Sequence, residues 1–184
     1  MAEAEPDRAR AVAELGRFID GIPVAMVTTI APDDVLRCRP MLLERLEPDA
    51  TLVFLTHFTS QKAGDVRREP RVNAAFVSDK GDRYVSIGGR ATVVHDEARF
   101  RALWNPTYRA WFPGGPGDPD SAIFTVAIDR VDYWDVPTGR FVRLWGVVKA
   151  LATGQVAESG DHVTIHFGDD VIADGADAAS RTRT

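Results

Sequence analysis

The 184-residue sequence has one cysteine, Cys38, which excludes an intramolecular disulfide framework and any cysteine-rich zinc module and suits a reducing compartment. No apolar run is long enough to cross a bilayer. Met1 to Arg10 mixes acids with arginines and lacks the basic-then-apolar order of a signal peptide. No basic block occurs and the formal net charge is -5, which argues against a general nucleic-acid-binding surface and still allows a local anion pocket. The expectation is a cytoplasmic protein with neither a membrane nor a nucleic-acid partner. Hydrophobic residues make up 45% and charged residues 27%, a balance that supports one buried core rather than a disordered chain or a fibre.

Periodicity orders what is present. Val12, Leu15, Phe18 and Ile19 recur at helical spacing within Asp7 to Asp20, and Gly21 with Pro23 ends that helix. Val24 to Ile30 is rich in β-branched residues, and Ala31-Pro32-Asp33-Asp34 predicts a hairpin turn into Val35 to Leu43. Glu44 to Ala50 reads as a polar connection and Thr51 to Thr56 as a central strand. Ser60 is the expected N-cap of a helix over Gln61 to Arg68, which Pro70 terminates. Strands are predicted at Val72 to Ser78 and, beyond the Asp79 to Asp82 turn, at Tyr84 to His95, where Gly88-Gly89 marks a bulge or bend. Asp96 caps a helix to about Trp104, and the Gly- and Pro-rich loop Asn105 to Asp120 needs an aromatic anchor. Ile123 to Asp129, Tyr133 to Val136 and Phe141 to Leu151 supply further strands. The resulting class is mainly β with peripheral helices, a small barrel rather than a doubly wound sheet, because strands follow one another through tight turns. Residues 1–151 form the predicted domain. From Ala152 onward six Asp or Glu face two Arg and hydrophobics thin out, so 152–184 reads as a loosely held tail in which His162 to Phe167 alternates like a strand.

One stretch carries the chemistry. At Thr56-His57-Phe58-Thr59-Ser60-Gln61-Lys62 a strand runs into hydroxyls, an ammonium and a helix start, groups that suit a phosphate, and Arg39 adds a guanidinium from a neighbouring strand. Arg37 and Arg39 share one strand face, so at least one must reach solvent, an anion or a buried acid. By residue chemistry alone the stretch reads either as an anion site or as a plain capped helix with Lys62 solvated and the arginines outside the barrel. No histidine spacing among His57, His95, His162 and His166 builds a metal site, and Cys38, on the face opposite Arg39, reads as a packed residue. Trp104, Trp134 and Trp145 suit core or interface positions more often than ring stacking.

The run Thr56 to Lys62, continuing to Glu69-Pro70-Arg71-Val72, together with Arg39-Pro40-Met41-Leu42-Leu43, resembles the pyridoxamine 5'-phosphate oxidase superfamily of FMN-binding split barrels. Tyr84-Val85-Ser86-Ile87-Gly88-Gly89-Arg90-Ala91, Trp104-Asn105-Pro106, Trp111-Phe112-Pro113-Gly114-Gly115 and Tyr133-Trp134-Asp135 resemble its general stress protein 26 branch. The resemblance implies a split β-barrel that binds FMN, with FAD, deazaflavin F420 and haem as alternatives that related barrels take. It implies a homodimer with the flavin between subunits. Arg39, Ser60 and Lys62 would hold the phosphate, Thr56 and His57 would follow the ribityl chain or ring edge, Pro40 and Met41 belong to the arginine-led strand, and Trp111 or Trp134 would meet the ring. At Glu44 the vitamin-converting members carry a lysine for the substrate phosphate, so a carboxylate there disfavours pyridoxamine phosphate as substrate. Gln61 replaces an arginine of the Ser-Arg-Lys form. The implied activity is that of a flavin-dependent oxidoreductase, with a non-catalytic flavin binder for stress response, storage or sensing as the alternative. No residue stands out as a catalytic acid or base.

Overall fold

In Val24–Ile30 (β1), Ala25, Val27 and Thr29 are buried while Val24 and Met26 are exposed, the two-residue period of a sheet covered on one face. The computed structural model describes residues 4–79, 83–135, 161–167 and 171–175. The same alternation continues through Arg71–Val77 (β4) and much of Arg83–Val94 (β5), whereas Thr51–His57 (β3) at Leu52 to Phe54 and Ser121–Asp135 (β6) at Ser121 to Phe124 are buried on both faces, and Leu36–Glu47 (β2) completes the set. These strands pair antiparallel in the order β3-β2-β1-β4-β5-β6, and β6 pairs back onto β3 from Thr51↔Ala127 to His57↔Ser121. The sheet therefore closes into the mainly β barrel with peripheral helices that the sequence predicts. Val27, Phe54, Phe76, Ile87 and Phe124 fill its interior, and the helix Ala4–Ile19 (α1) adds Val12, Leu15 and Ile19 to the same core.

The remaining helices are short. Gln61–Arg68 (α2) contributes Val66 to the main core, and Glu97–Leu103 (α3) begins at Asp96, whose side chain accepts the Arg99 N–H. Between α3 and β6 the chain makes two 3-10 turns, Pro106–Ala110 and Gly115–Gly117, in the segment expected to lack regular structure. Its anchor is Phe112, which packs edge-on against Phe100 at 5.2 Å between ring centroids in a satellite core with Val53 and Ile123.

Four expectations change. Cys38, expected to be packed, is exposed. β2 does not end at Leu43: it runs to Glu47, and a register shift between Leu43 and Arg45 places a bulge at Glu44. The predicted strands Ile123 to Asp129 and Tyr133 to Val136 are a single strand, β6, whose polar Asp129 and Arg130 mark a register shift rather than a break. In the C-terminal segment, Asp161–Phe167 (β7) pairs with the second half of β6, Val171–Gly175 (β8) pairs with β7, and Ile165 and Phe167 join the main core. The predicted strand Phe141 to Leu151 with Trp145, along with Val136 and turn residues 80–82, lies outside the described residues.

The β6 shift has its counterpart at Gly88/Gly89 on β5. A Cβ on Gly89 would collide with the Ala127 carbonyl oxygen, whereas one on Gly88 would have its nearest neighbour, the Arg130 carbonyl oxygen, at 4.0 Å. Gly89→Ala is therefore expected to lower unfolding free energy by about 1–3 kcal/mol, the usual cost of overpacking. Chemical denaturation of that variant beside Gly88→Ala checks this: equal midpoints for the two would contradict the close approach.

Candidate functional site

β2 and β3 pair only from Leu43↔Phe54 to Glu47↔Thr51, so the first half of β2 and the last residues of β3 part company. The barrel splits there. A cavity of about 390 Å³ occupies the split, lined by Pro40, Met41 and Glu44 of β2, Thr56 and His57 of β3, Lys62 of α2, and Tyr108, Trp111 and Phe112 of the anchored loop.

The loop from β3 to α2 is tied down at several points. Asp120 accepts the Thr59 N–H and the Thr59 hydroxyl, each at 2.8 Å, and the Phe58 N–H donates to the Asp120 carbonyl oxygen at 2.7 Å. The two Thr59 bonds hold the Asp120 carboxyl below its ordinary value. The His57 Nε2–H donates to the Trp111 carbonyl oxygen at 3.0 Å, Nδ1 faces Asp120 Oδ2 at 3.4 Å, and the ring packs on Phe112 at 4.6 Å. His57 thus joins the end of β3 to the loop that carries Trp111.

Ser60 occupies the N-cap position of α2 but does not cap it. Its hydroxyl donates to the His57 carbonyl oxygen at 2.6 Å and lies 3.3 Å from the Thr56 hydroxyl. Ser60 therefore leaves the first-turn N–H groups of α2 as the orphan donors of a helix start. Lys62, in that first turn, is half-buried and makes no hydrogen bond or ion pair among the described residues. Burial, and then the nearby positive charge of Arg39, lowers its pKa.

Arg39 points inward. Its Nη1 donates to the Thr29 hydroxyl at 2.7 Å and to the Val27 carbonyl oxygen at 3.3 Å, and its Nη2 lies 3.6 Å from Asp65 Oδ2. Thr29 in turn donates to Asp65 at 2.7 Å. Burial lowers the Arg39 pKa and Asp65 opposes that shift. On the facing wall, Tyr108 donates its hydroxyl to Glu44 Oε2 at 2.9 Å. Burial pushes the Glu44 carboxyl up, and burial with this bond pushes Tyr108 up to about 12.

The comparisons with known proteins agree with this architecture. A family model described as pyridoxamine 5'-phosphate oxidase like matches residues 10–158. The chain belongs to the pyridoxamine 5'-phosphate oxidase-like family. Among its relatives, protein bli-3 of Neurospora crassa is 27% identical over 155 residues, covering 78% of this chain and 74% of that protein. A general stress FMN/FAD binding protein from Xanthomonas citri is 26% identical, with a TM-score of 0.57 over 66% of this chain and 86% of the other. A pyridoxamine 5'-phosphate oxidase-related, FMN binding protein from Nostoc punctiforme shares the fold at 16% identity, with a TM-score of 0.58 over 95% of this chain and 97% of the other.

Of the residues that the family resemblance singles out, Pro40, Met41, Thr56, His57, Lys62 and Trp111 line the cavity. Arg39 and Ser60 stand behind the lining, Arg39 within electrostatic reach of Lys62 and Ser60 against Thr56. Trp134 is not among the lining residues: it sits on the distal half of β6, in register with Tyr84 and His162. Sequence reasoning missed Thr29, Asp65 and Tyr108. An acid among the buried α2 residues Ala63 and Val66 was a readable signal for Asp65, whereas Tyr108 reaches Glu44 across 64 positions and had none.

Proposed function

We propose that this chain binds FMN in the split of the barrel and acts as a homodimeric flavin-dependent oxidoreductase. The observation that carries the reading is Lys62: a half-buried ammonium without a partner among the described residues, beside Arg39 at an uncapped helix start, lining a cavity with aromatic walls. Two cations so close raise each other's cost of staying charged, and a phosphate dianion relieves it while accepting the free first-turn N–H groups. The residues present fit the group. Lys62 and the first-turn N–H groups of α2 would hold the phosphate end, with Arg39 and Ser60 behind them adding charge and support, Thr56 and His57 would meet the polyol and ring edge, and Trp111 would offer a flat apolar face. The Xanthomonas citri relative, named for FMN and FAD, supports a flavin, and FAD is the alternative cofactor.

Bound flavin supplies hydride or electron transfer at its N5. The chain's part is to bind, orient and exclude water. His57 and the Thr59–Asp120 clamp fix the loops at the cavity mouth, and Phe112 closes its floor toward the satellite core.

The dimer reading rests on an apolar outer face. Val24, Met26 and Leu42 are exposed side by side with Pro40, at the registers Val24↔Leu42 and Met26↔Pro40, and Val24, Pro40 and Leu42 also rim the cavity. A second copy seated there would cover exposed apolar surface and shut the cavity from solvent.

Three outcomes test this reading. The purified protein is expected to be yellow and to release FMN detectable by mass spectrometry, and its bound flavin should be reoxidised by a substrate faster than free flavin; a flavin inert to nicotinamide donors and common acceptors would mark a binder without turnover. Lys62→Ala should weaken FMN binding about 10–100-fold, or ~1.5–3 kcal/mol for a charge-assisted contact. Because only protonated Lys62 attracts the dianion, wild-type affinity should fall as pH rises through its lowered pKa, and the variant should show no such fall; unchanged affinity in Lys62→Ala removes it from the site. Met26→Glu, which places a charge on the outer face, should yield a monomer by light scattering, and a dimer that survives it would move the interface elsewhere.

A further inference from the structure

The cavity carries two opposite charges that do not meet. Lys62 lies toward Arg39, while Glu44 is held by Tyr108, and no ion pair joins Glu44 to Lys62 among the described residues. Glu44 is the residue at the β2 bulge, between the pairs Leu43↔Phe54 and Arg45↔Val53. A bulge re-aims a side chain that regular pleating would send elsewhere, and here the carboxylate lines the cavity. Tyr108 occupies Oε2. Among the described residues Oε1 has no hydrogen-bond partner and no buried side-chain oxygen lacks one, so Oε1 is an accessible acceptor on a residue that lines the cavity. Tyr108, Trp111 and Phe112 line the same space, and Trp111 is 66% exposed.

The geometry points to a subsite for an organic ammonium ion at Glu44, formed by its free carboxylate oxygen and the aromatic rings of Tyr108, Trp111 and Phe112, so that the second ligand of this cavity is a cationic amine rather than a phosphate or carboxylate. Aromatic faces attract ammonium groups and a carboxylate supplies the countercharge, a combination that rejects anions on both counts. Burial raises the Glu44 pKa, and a cation beside it would favour the charged form. Placing this ligand as the redox partner rests on the flavin reading above; the charge preference of Glu44 does not.

The test is a titration of the full chain, as purified and again saturated with FMN, with three probes of similar shape: benzyltrimethylammonium, benzyl alcohol and benzoate, followed by calorimetry. The subsite predicts that the ammonium binds at least tenfold more tightly than benzoate, with the alcohol between them. Glu44→Gln, checked for folding by its melting curve, should lose at least fivefold of the ammonium affinity, and Glu44→Lys should reverse the order. Benzoate binding as well as the ammonium, no binding of the ammonium, or full ammonium affinity in Glu44→Gln each overturns the subsite. A wild-type chain that takes FMN without the cation preference contradicts this inference alone. One that shows the preference without taking FMN contradicts the flavin reading alone.

Discussion

A single buried carboxylate decides which cation in this barrel is free. Asp65, with its side chain 4% exposed, accepts the Thr29 hydroxyl and faces Arg39, so the one guanidinium that β2 sends inward meets its countercharge there. A charge so enclosed is tolerable only when paired and hydrogen-bonded. Lys62 and Asp65 stand three residues apart on α2, the spacing of a helical ion pair, yet no such pair forms because Asp65 is turned to Thr29 and Arg39. Lys62 is left half-buried, beside a like charge, at the start of a helix whose capping residue has turned its hydroxyl away. The proposed anion site is what remains when Asp65 has been committed elsewhere.

The space for a ligand has a separate origin. β3 stays with β6 to its last residue, His57↔Ser121, while β2 leaves β3 at Leu43. Regular pairing to the end of both strands would have filled the split with backbone. The bulge at Glu44 marks the point of departure and sends a carboxylate into the gap. The loop from α3 to β6 then supplies the opposite wall, and it holds its position through Phe112 against Phe100, through the His57 bond to the Trp111 carbonyl and through the Asp120 clamp. The His57 bond ties the loop to β3 itself, the Asp120 clamp ties it to the residues just beyond β3, and Phe112 ties it to α3, so the cavity wall is held to the strand that also delivers Thr56 and His57.

Much of this was legible in the chain. β-branched and apolar runs between turn signals located β1, β3, β4 and β5, and Pro70 ended α2 where it should. Both misread boundaries have one cause: at Glu44 and at Asp129-Arg130 a polar residue sits at a register shift, which breaks the two-residue period and imitates a loop. Ser60 was correctly placed at the helix start, but its hydroxyl donates to the His57 carbonyl and accepts no first-turn N–H, an orientation that position alone does not reveal. Thr29 and Asp65 lie 36 positions apart, and only the closed barrel brings them together. Trp111 and Trp134 look alike in sequence; the fold sends the first to the cavity and the second to the far half of β6.

The account turns on whether the Lys62 end of the cavity receives a phosphate. FMN and riboflavin differ by that group alone, so their dissociation constants for the flavin-stripped wild-type chain, measured by fluorescence quenching at neutral pH, isolate its contribution. A phosphate seated at Lys62 predicts FMN binding at least tenfold tighter than riboflavin, with most of the difference lost in Lys62→Ala. Equal affinities for the two flavins would contradict it.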